Sequence, residues 1–218
     1  MIKIGPSIIA GDFSKLKENI RKAEKAKVDF LHVDIMDGIF VRNITFGPMV
    51  VEAISKMTKL PFHIHLMIIE PIRYIKEFSN IKNTEIISFH YEAGNKILKT
   101  IEKIKGENKK VGIAINPETD WEKIKDFLDK VDEVLLMSVH PGFSGQKFIY
   151  HVLKKIEEVR NYKIEKNLKF EIAVDGGLNE ETIPLVIQKG ANVLCIGSYF
   201  FNNKNPLKIF KKCLKNFF

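Results

Sequence analysis

Eight short apolar runs of strand character recur along the 218 residues, and stretches of helical period separate them. The runs are IKIGPSII (2–9), DFLHVDIM (29–36), PFHIHLMI (61–68), EIISFH (85–90), KVGIAI (110–115), EVLLMSV (133–139), FEIAV (170–174) and NVLCIG (192–197). Between them, Phe13, Leu16, Ile20 and Ala23 recur with helical period, as do Ile97, Ile101 and Ile104, and Trp121, Ile124 and Leu128. Repeated βα alternation requires parallel strands joined by helical crossovers. Eight such units predict a closed (β/α)8 TIM barrel, with an open doubly wound sheet as the alternative. The chain is short against the roughly 250 residues typical of such barrels, so residues 1–218 are read as one domain without a long inserted lid.

Composition narrows the function classes. A hydrophobic content of 45% supports one substantial core. The N-terminal MIKIGPSIIAG enters an apolar strand at once, so no signal peptide is expected, and no run approaches the roughly 20 apolar residues of a membrane span. Cys195 and Cys213 follow no C-x-x-C spacing and are expected as reduced, buried thiols, which suits a cytoplasmic enzyme. The net charge of +8 raises nucleic acid as a partner. Its lysines, however, recur through the predicted helices and their ends, interleaved with glutamates, which is the pattern of solvated helix faces. Neither a nucleic-acid nor a membrane partner is expected.

The strand period places chemistry on particular faces. His32, Asp34 and Met36 share one face of the second run, and His63, His65 and Met67 share one face of the third. Two imidazoles and a carboxylate on neighbouring strands can converge on one metal ion. Active sites of such barrels lie at the C-terminal ends of the strands. Asp34 is expected to end the second strand and His65 the third, Met137 and His140 to close the sixth, Asp175 to end the seventh, and the pair Gly197–Ser198 to follow the eighth. Three glycine-bearing loops gather at the same end: PGFSGQ (141–146), DGGL (175–178) and GSYF (197–200). Glycine lets backbone N–H groups approach an anion, and barrel phosphate sites commonly use the loops after strands seven and eight. A small phosphorylated ligand is the inference.

These residues also carry a resemblance. SIIAGDF (7–13), HVDIMDG followed by x-F-V (32–41), NITFGP (43–48), HLM (65–67), FHYE (89–92), NPET (116–119), LLMSVHPGFSGQKFI (135–149), VDGGL (174–178) and GANVL (190–194) together resemble the ribulose-phosphate 3-epimerase family, in order from first strand to last helix. The resemblance implies a barrel of the ribulose-phosphate-binding type. It also implies interconversion of D-ribulose 5-phosphate and D-xylulose 5-phosphate through a metal-stabilised enediolate. By position, His32, Asp34, His65 and Asp175 match the family's divalent-metal ligands, and Asp34 and Asp175 match its two acid/base groups. Ser7, Met36, Met67 and Met137 match residues lining the sugar. Gly142, Phe143, Ser144, Gly145, Gly176, Gly177, Gly197 and Ser198 match its phosphate and substrate contacts. The cofactor implied is one divalent ion per subunit. Two nitrogen and two oxygen donors without thiolate suit Zn, Fe(II), Mn or Co alike. A homo-oligomer is implied by the resemblance alone.

Several positions depart from the family pattern. His63 adds a second histidine to its strand face, where it either tunes or competes for the metal or lies one layer deeper, hydrogen bonded. His140, Ser144, Arg42 and Gly11 also differ from the usual residues, and none is a proposed ligand. Among rival functions, an epimerase of a six-carbon ketose phosphate would use the same metal and carboxylates, but DGGL and GSYF resemble the pentose family. A metal-free lyase or decarboxylase would need an interior lysine, usually as Asp-x-Lys, and the second strand reads HVDIM. A phosphate-sugar binding protein without catalysis would leave two acids and two histidines at the mouth unexplained.

Overall fold

The computed structural model describes residues 1–206. Eight strands form one parallel sheet: β1 (Lys3–Pro6), β2 (Leu31–Met36), β3 (Phe62–Met67), β4 (Thr84–His90), β5 (Lys110–Ile115), β6 (Glu133–Met137), β7 (Glu171–Asp175) and β8 (Val193–Ile196). The pairing order is β1-β8-β7-β6-β5-β4-β3-β2. The two ends of that order meet through a parallel bridge between Ser7 and His32, so the sheet closes into a barrel and the open-sheet alternative falls. Asp29 strengthens the seam, its N–H donating to the Ile4 carbonyl at 2.9 Å and its Oδ2 accepting the Ile4 N–H at 2.7 Å.

The outer ring is made of α1 (Leu16–Lys25), α2 (Pro48–Ser55), α3 (Ile75–Ser79), α4 (Ile97–Gly106), α5 (Val152–Glu165), α6 (Thr182–Lys189) and α7 (Ser198–Asn202). Strands covered on both faces must be apolar on both, which is why they read as nearly continuous hydrophobic runs. Leu31, Val33 and Ile35 of β2 and Phe62, Ile64 and Leu66 of β3 face outward into the main core beneath the helices. The alternate residues fill the barrel interior, where Phe30, Ala114, Leu135, Met137, Ala173, Val193 and Cys195 pack together. Side-chain size is balanced there by Gly5: a Cβ at that position would lie 2.2 Å from the Phe30 ring, so only glycine admits Phe30 to the interior.

Several element boundaries, and one element type, differ from expectation. The first strand ends at Pro6 rather than continuing to residue 9, because Ile8–Ala10 turn into a 3₁₀ segment whose Ala10 N–H returns to the Ser7 carbonyl. The sixth ends at Met137 rather than 139. Ser138 still donates its N–H to the Asp175 carbonyl at 2.8 Å and its hydroxyl to the Asp175 and Gly176 carbonyls at 2.9 and 2.6 Å, but its own carbonyl turns away to accept the Ile149 N–H at 2.8 Å. Trp121–Phe127 is a 3₁₀ helix, not an α-helix. Cys195 is buried and free, as expected, whereas Cys213 lies outside the described residues. Among the described residues no helix is long and apolar enough to cross a membrane.

Candidate active site and metal centre

At the C-terminal mouth of the barrel lies a cavity of about 540 Å3. Its floor is the cluster His32, Asp34, His65 and Asp175, whose donor atoms all lie within 4.8 Å of one another. The register explains the convergence. Asp34 of β2 pairs with His65 of β3, and Asp175 ends β7 beside Met137 of β6. Inward-pointing alternate residues of β2, β3 and β7 therefore meet at one height.

The distances fit a single cation. His32 Nε2 lies 3.1 Å from Asp34 Oδ1, 3.5 Å from Asp175 Oδ2 and 3.4 Å from His65 Nδ1. His65 Nδ1 lies 2.9 Å from Asp34 Oδ1 and 3.7 Å from Asp175 Oδ2. Four donors placed about 2.1 Å from a tetrahedral ion would stand roughly 3.4 Å apart, and these five distances scatter around that value, with all four donors within 4.8 Å of one another. The donor chemistry also fits, since two imidazole nitrogens and two carboxylate oxygens suit a borderline divalent metal.

The groups around the cluster orient it. Ser7 donates its hydroxyl to Asp34 Oδ2 at 2.5 Å. Burial works to raise the Asp34 pKa, but His32 and His65 outweigh it and hold the carboxyl far below the usual carboxylate range. Behind His32, Nδ1 faces the Cys195 sulfur at 3.3 Å, and a sulfur that accepts Nδ1–H leaves Nε2 free to ligate. Burial pushes the Cys195 thiol up to about 12, so it stays protonated and takes no part as a thiolate. Behind His65, Nε2 lies 2.9 Å from His90 Nε2.

Every residue expected to meet substrate lines this cavity: Ser7, Met36, Met67, Met137, Gly142, Phe143, Ser144, Gly145, Gly176, Gly177, Gly197 and Ser198. Asp34 and Asp175 line it as well, while His32 and His65 lie beneath, almost without exposure. Gly177 has φ +63°, and a Cβ there would stand 2.6 Å from the Phe148 nitrogen, so position 177 is closed to any side chain. The 141–146 loop is braced by Gln146, whose amide donates to the His140 and Phe143 carbonyls at 2.6 and 2.8 Å. Asn43 ties it across the mouth by donating to the Gly142 carbonyl at 2.6 Å.

Two expectations need correction. His63 does lie one layer deeper, stacked on Phe30 with ring centroids 3.7 Å apart, but its Nδ1 forms no hydrogen bond; Glu133 Oε2 is 3.6 Å away. His140 closes no strand. It sits past β6 with a largely exposed side chain, 3.4 Å from Glu118. Sequence reasoning gave no role to His90 and Glu92 of the FHYE stretch, nor to Thr45, whose hydroxyl accepts the Met36 N–H and donates to the Asp34 carbonyl. The signal for the first two was an i, i+2 His and Glu at a strand end, which gains meaning only once β4 is known to lie beside β3.

Comparison with known proteins agrees with this geometry. The model of the ribulose-phosphate 3 epimerase family matches residues 3–201. A ribulose-phosphate 3-epimerase of Bacillus subtilis is 47% identical over 209 residues, covering 95% of this chain and 96% of its own. One from Methanocaldococcus jannaschii is 43% identical, covering 99% and 90%, and a chloroplastic ribulose-5-phosphate-3-epimerase of Arabidopsis thaliana is 42% identical, covering 96% and 75%. Among solved structures, a 3-hexulose-6-phosphate synthase superposes with TM-score 0.68 at 16% identity, covering 97% of this chain and 99% of its own. A mutant tryptophan synthase α-subunit from Pyrococcus furiosus superposes with TM-score 0.71 at 13% identity, covering 99% and 100%; both likenesses speak to the barrel alone. With a family model spanning nearly the whole chain and relatives this similar along their length, the chain belongs to the ribulose-phosphate 3-epimerase family of enzymes.

Proposed function

We propose that the chain interconverts D-ribulose 5-phosphate and D-xylulose 5-phosphate by moving the C3 proton from one face of the sugar to the other, with Asp34 and Asp175 as the two acid/base groups. One observation carries this reading: two carboxylates, from β2 and β7, reach the floor of one cavity from different sides, with His32 and His65 beneath them. Inversion at carbon needs a base on one face and an acid on the other. The depressed Asp34 is held as the carboxylate that a base requires, and the Ser7 hydroxyl orients it. One divalent cation per chain, zinc, iron(II), manganese or cobalt, held by His32, Asp34, His65 and Asp175, would supply Lewis-acid stabilisation of the charge that develops on the substrate oxygens as the proton leaves.

Around that centre Met36, Met67 and Met137 form a soft, apolar wall that carries no exchangeable proton. The loops bearing Gly142, Phe143, Ser144, Gly145, Gly176, Gly177, Gly197 and Ser198 would take the phosphate with backbone N–H groups. In this reading the whole chain is a single catalytic domain acting in the cytoplasm as a homo-oligomer, with neither nucleic acid nor membrane as partner. The exposed Ile39 and Ile44 between β2 and α2, and Met49 in the first turn of α2, offer apolar surface for subunit contact.

The test is turnover of D-ribulose 5-phosphate by metal-reconstituted protein in D2O, following xylulose 5-phosphate and deuterium at C3, with D-allulose 6-phosphate run in parallel. Pentose conversion with C3 labelling is expected, falling at least 100-fold in Asp34→Asn and in Asp175→Asn. Turnover of the hexose phosphate alone would overturn the substrate and keep the two carboxylates; no exchange with either would overturn the reading.

A further inference from the structure

A buried relay runs away from the metal cluster into the barrel wall. His65 Nε2 lies 2.9 Å from His90 Nε2, His90 Nδ1 lies 3.2 Å from Glu92 Oε2, and Glu92 Oε1 accepts the Asn116 N–H at 2.8 Å and the Thr119 hydroxyl. Both imidazoles are fully buried and stacked at 22°, with the Phe40 ring over His90, so neither ring is free to turn. The far end is anchored as well: Lys155 of α5 donates to the carbonyls of Asn116, Pro117 and Thr119 at 2.9, 2.8 and 2.6 Å.

The direction of every proton follows from the end that cannot be inverted. A backbone N–H only donates, so Glu92 Oε1 accepts. A carboxylate only accepts, so His90 carries its proton on Nδ1. A neutral imidazole has one ring proton, which leaves His90 Nε2 as a lone pair that accepts from His65 Nε2–H. His65 then presents a lone pair at Nδ1, the atom that stands among Asp34, Asp175 and His32, once a cation there takes the place of the proton that Asp34 Oδ1, 2.9 Å away, otherwise accepts from it. We propose that Glu92 and His90 are positioning residues that fix His65 in the Nε2–H tautomer and so make its Nδ1 a ligand for a divalent cation; this rests on the metal-centre reading above. Partners behind a metal-binding histidine commonly act in this way, and their loss typically costs 10–100-fold in affinity.

Glu92→Gln is the informative variant, since it changes polarity and hardly changes shape. The Asn116 N–H keeps the amide oxygen turned toward itself, so the new NH2 faces His90 Nδ1. His90 must then carry its proton on Nε2, aimed at His65 Nε2, and His65 is driven to the Nδ1–H tautomer that cannot ligate. We expect zinc binding, measured by competition with a chromophoric chelator, to weaken about 10–100-fold in E92Q. In a His90→Phe background E92Q should add nothing further. Ring 15N NMR of metal-free samples should show the His90 proton on Nδ1 in the wild type and on Nε2 in E92Q. Wild-type zinc affinity in E92Q, an unmoved His90 proton, or an equal loss in the His90→Phe background would each overturn the relay. A wild-type chain that takes up no zinc would sink the metal centre itself, and the His90 proton position, read in the same metal-free sample, would still decide the relay.

Discussion

Glu92 is an acid that the fold keeps ionised far into the acidic range. Burial works to raise its pKa, but His90, Thr119 and the Asn116 N–H outweigh it and hold the carboxyl at about 2, against an ordinary 4.5. A carboxyl with a depressed folded pKa contributes stability that is fully present above the unfolded value and is lost as pH falls through the folded one. The urea midpoint of the wild type should therefore exceed that of E92Q at pH 6, and the gap should close as pH falls from about 4.5 toward 2. A gap that stays constant across that range would contradict the depressed acid. Cys195 offers an independent check at the same scale. With its thiol pushed up to about 12 by burial, it should resist iodoacetamide at pH 8 in the native protein and be alkylated in urea, as read by peptide mapping. Its burial was legible from the apolar NVLCIG run. Its contact with His32, 163 positions earlier in the chain, was not, because only barrel closure brings β8 across to β2.

Elements impose their own logic. α5 does more than cover the sheet, since Lys155 inserts its ammonium under the loop that follows β5 and gathers three carbonyls there. Lys155→Met would leave those carbonyls without their donor, at a cost of about 1–3 kcal/mol. The expected outcome is a lowered urea midpoint together with faster hydrogen exchange in residues 116–119, the circular dichroism of the barrel being unchanged; unaltered exchange in that loop would refute the role. All eight strands were legible as nearly continuous apolar runs because each is covered on both faces. Their ends were less so. Of the two extra residues expected on β6, Val139 is apolar and Ser138 still donates its N–H to the Asp175 carbonyl; the ladder stops because the Ser138 carbonyl turns away to accept the Ile149 N–H. Likewise Trp121, Ile124 and Leu128 are spaced by three and four, a pattern that a seven-residue 3₁₀ helix satisfies as readily as an α-helix. For the site, His32, Asp34 and His65 followed from period two on adjacent strands. Asp175 needed the barrel. His63 defeated the expectation of a hydrogen bond because its counterpart, Glu133, comes from β6, on a strand that does not neighbour β3.

At the scale of the molecule, the barrel is a sheet bent until its ends touch, and the join between β1 and β2 is its least continuous ladder. The candidate metal-binding cluster straddles that join. His32, Asp34 and His65 lie on one side, on β2 and β3, and Asp175 lies on the other, on β7, beyond β8 and β1. A cation held by all four would fasten the two sides to each other. Because such a cation binds the folded state alone, 100 times its dissociation constant would add about 2.7 kcal/mol of stability. Chelation should therefore lower the melting temperature. It should also speed amide exchange in β1 and β2 well before exchange in β4 to β6, and uniform acceleration around the ring would refute the fastening. The Ser7–His32 join has a consequence outside the test tube. Proteases act on segments that open locally, at a rate set by how often they open. A cell short of the cation would then lose this protein by degradation starting at one seam, so that metal supply would govern how many copies persist as well as how fast each one turns over.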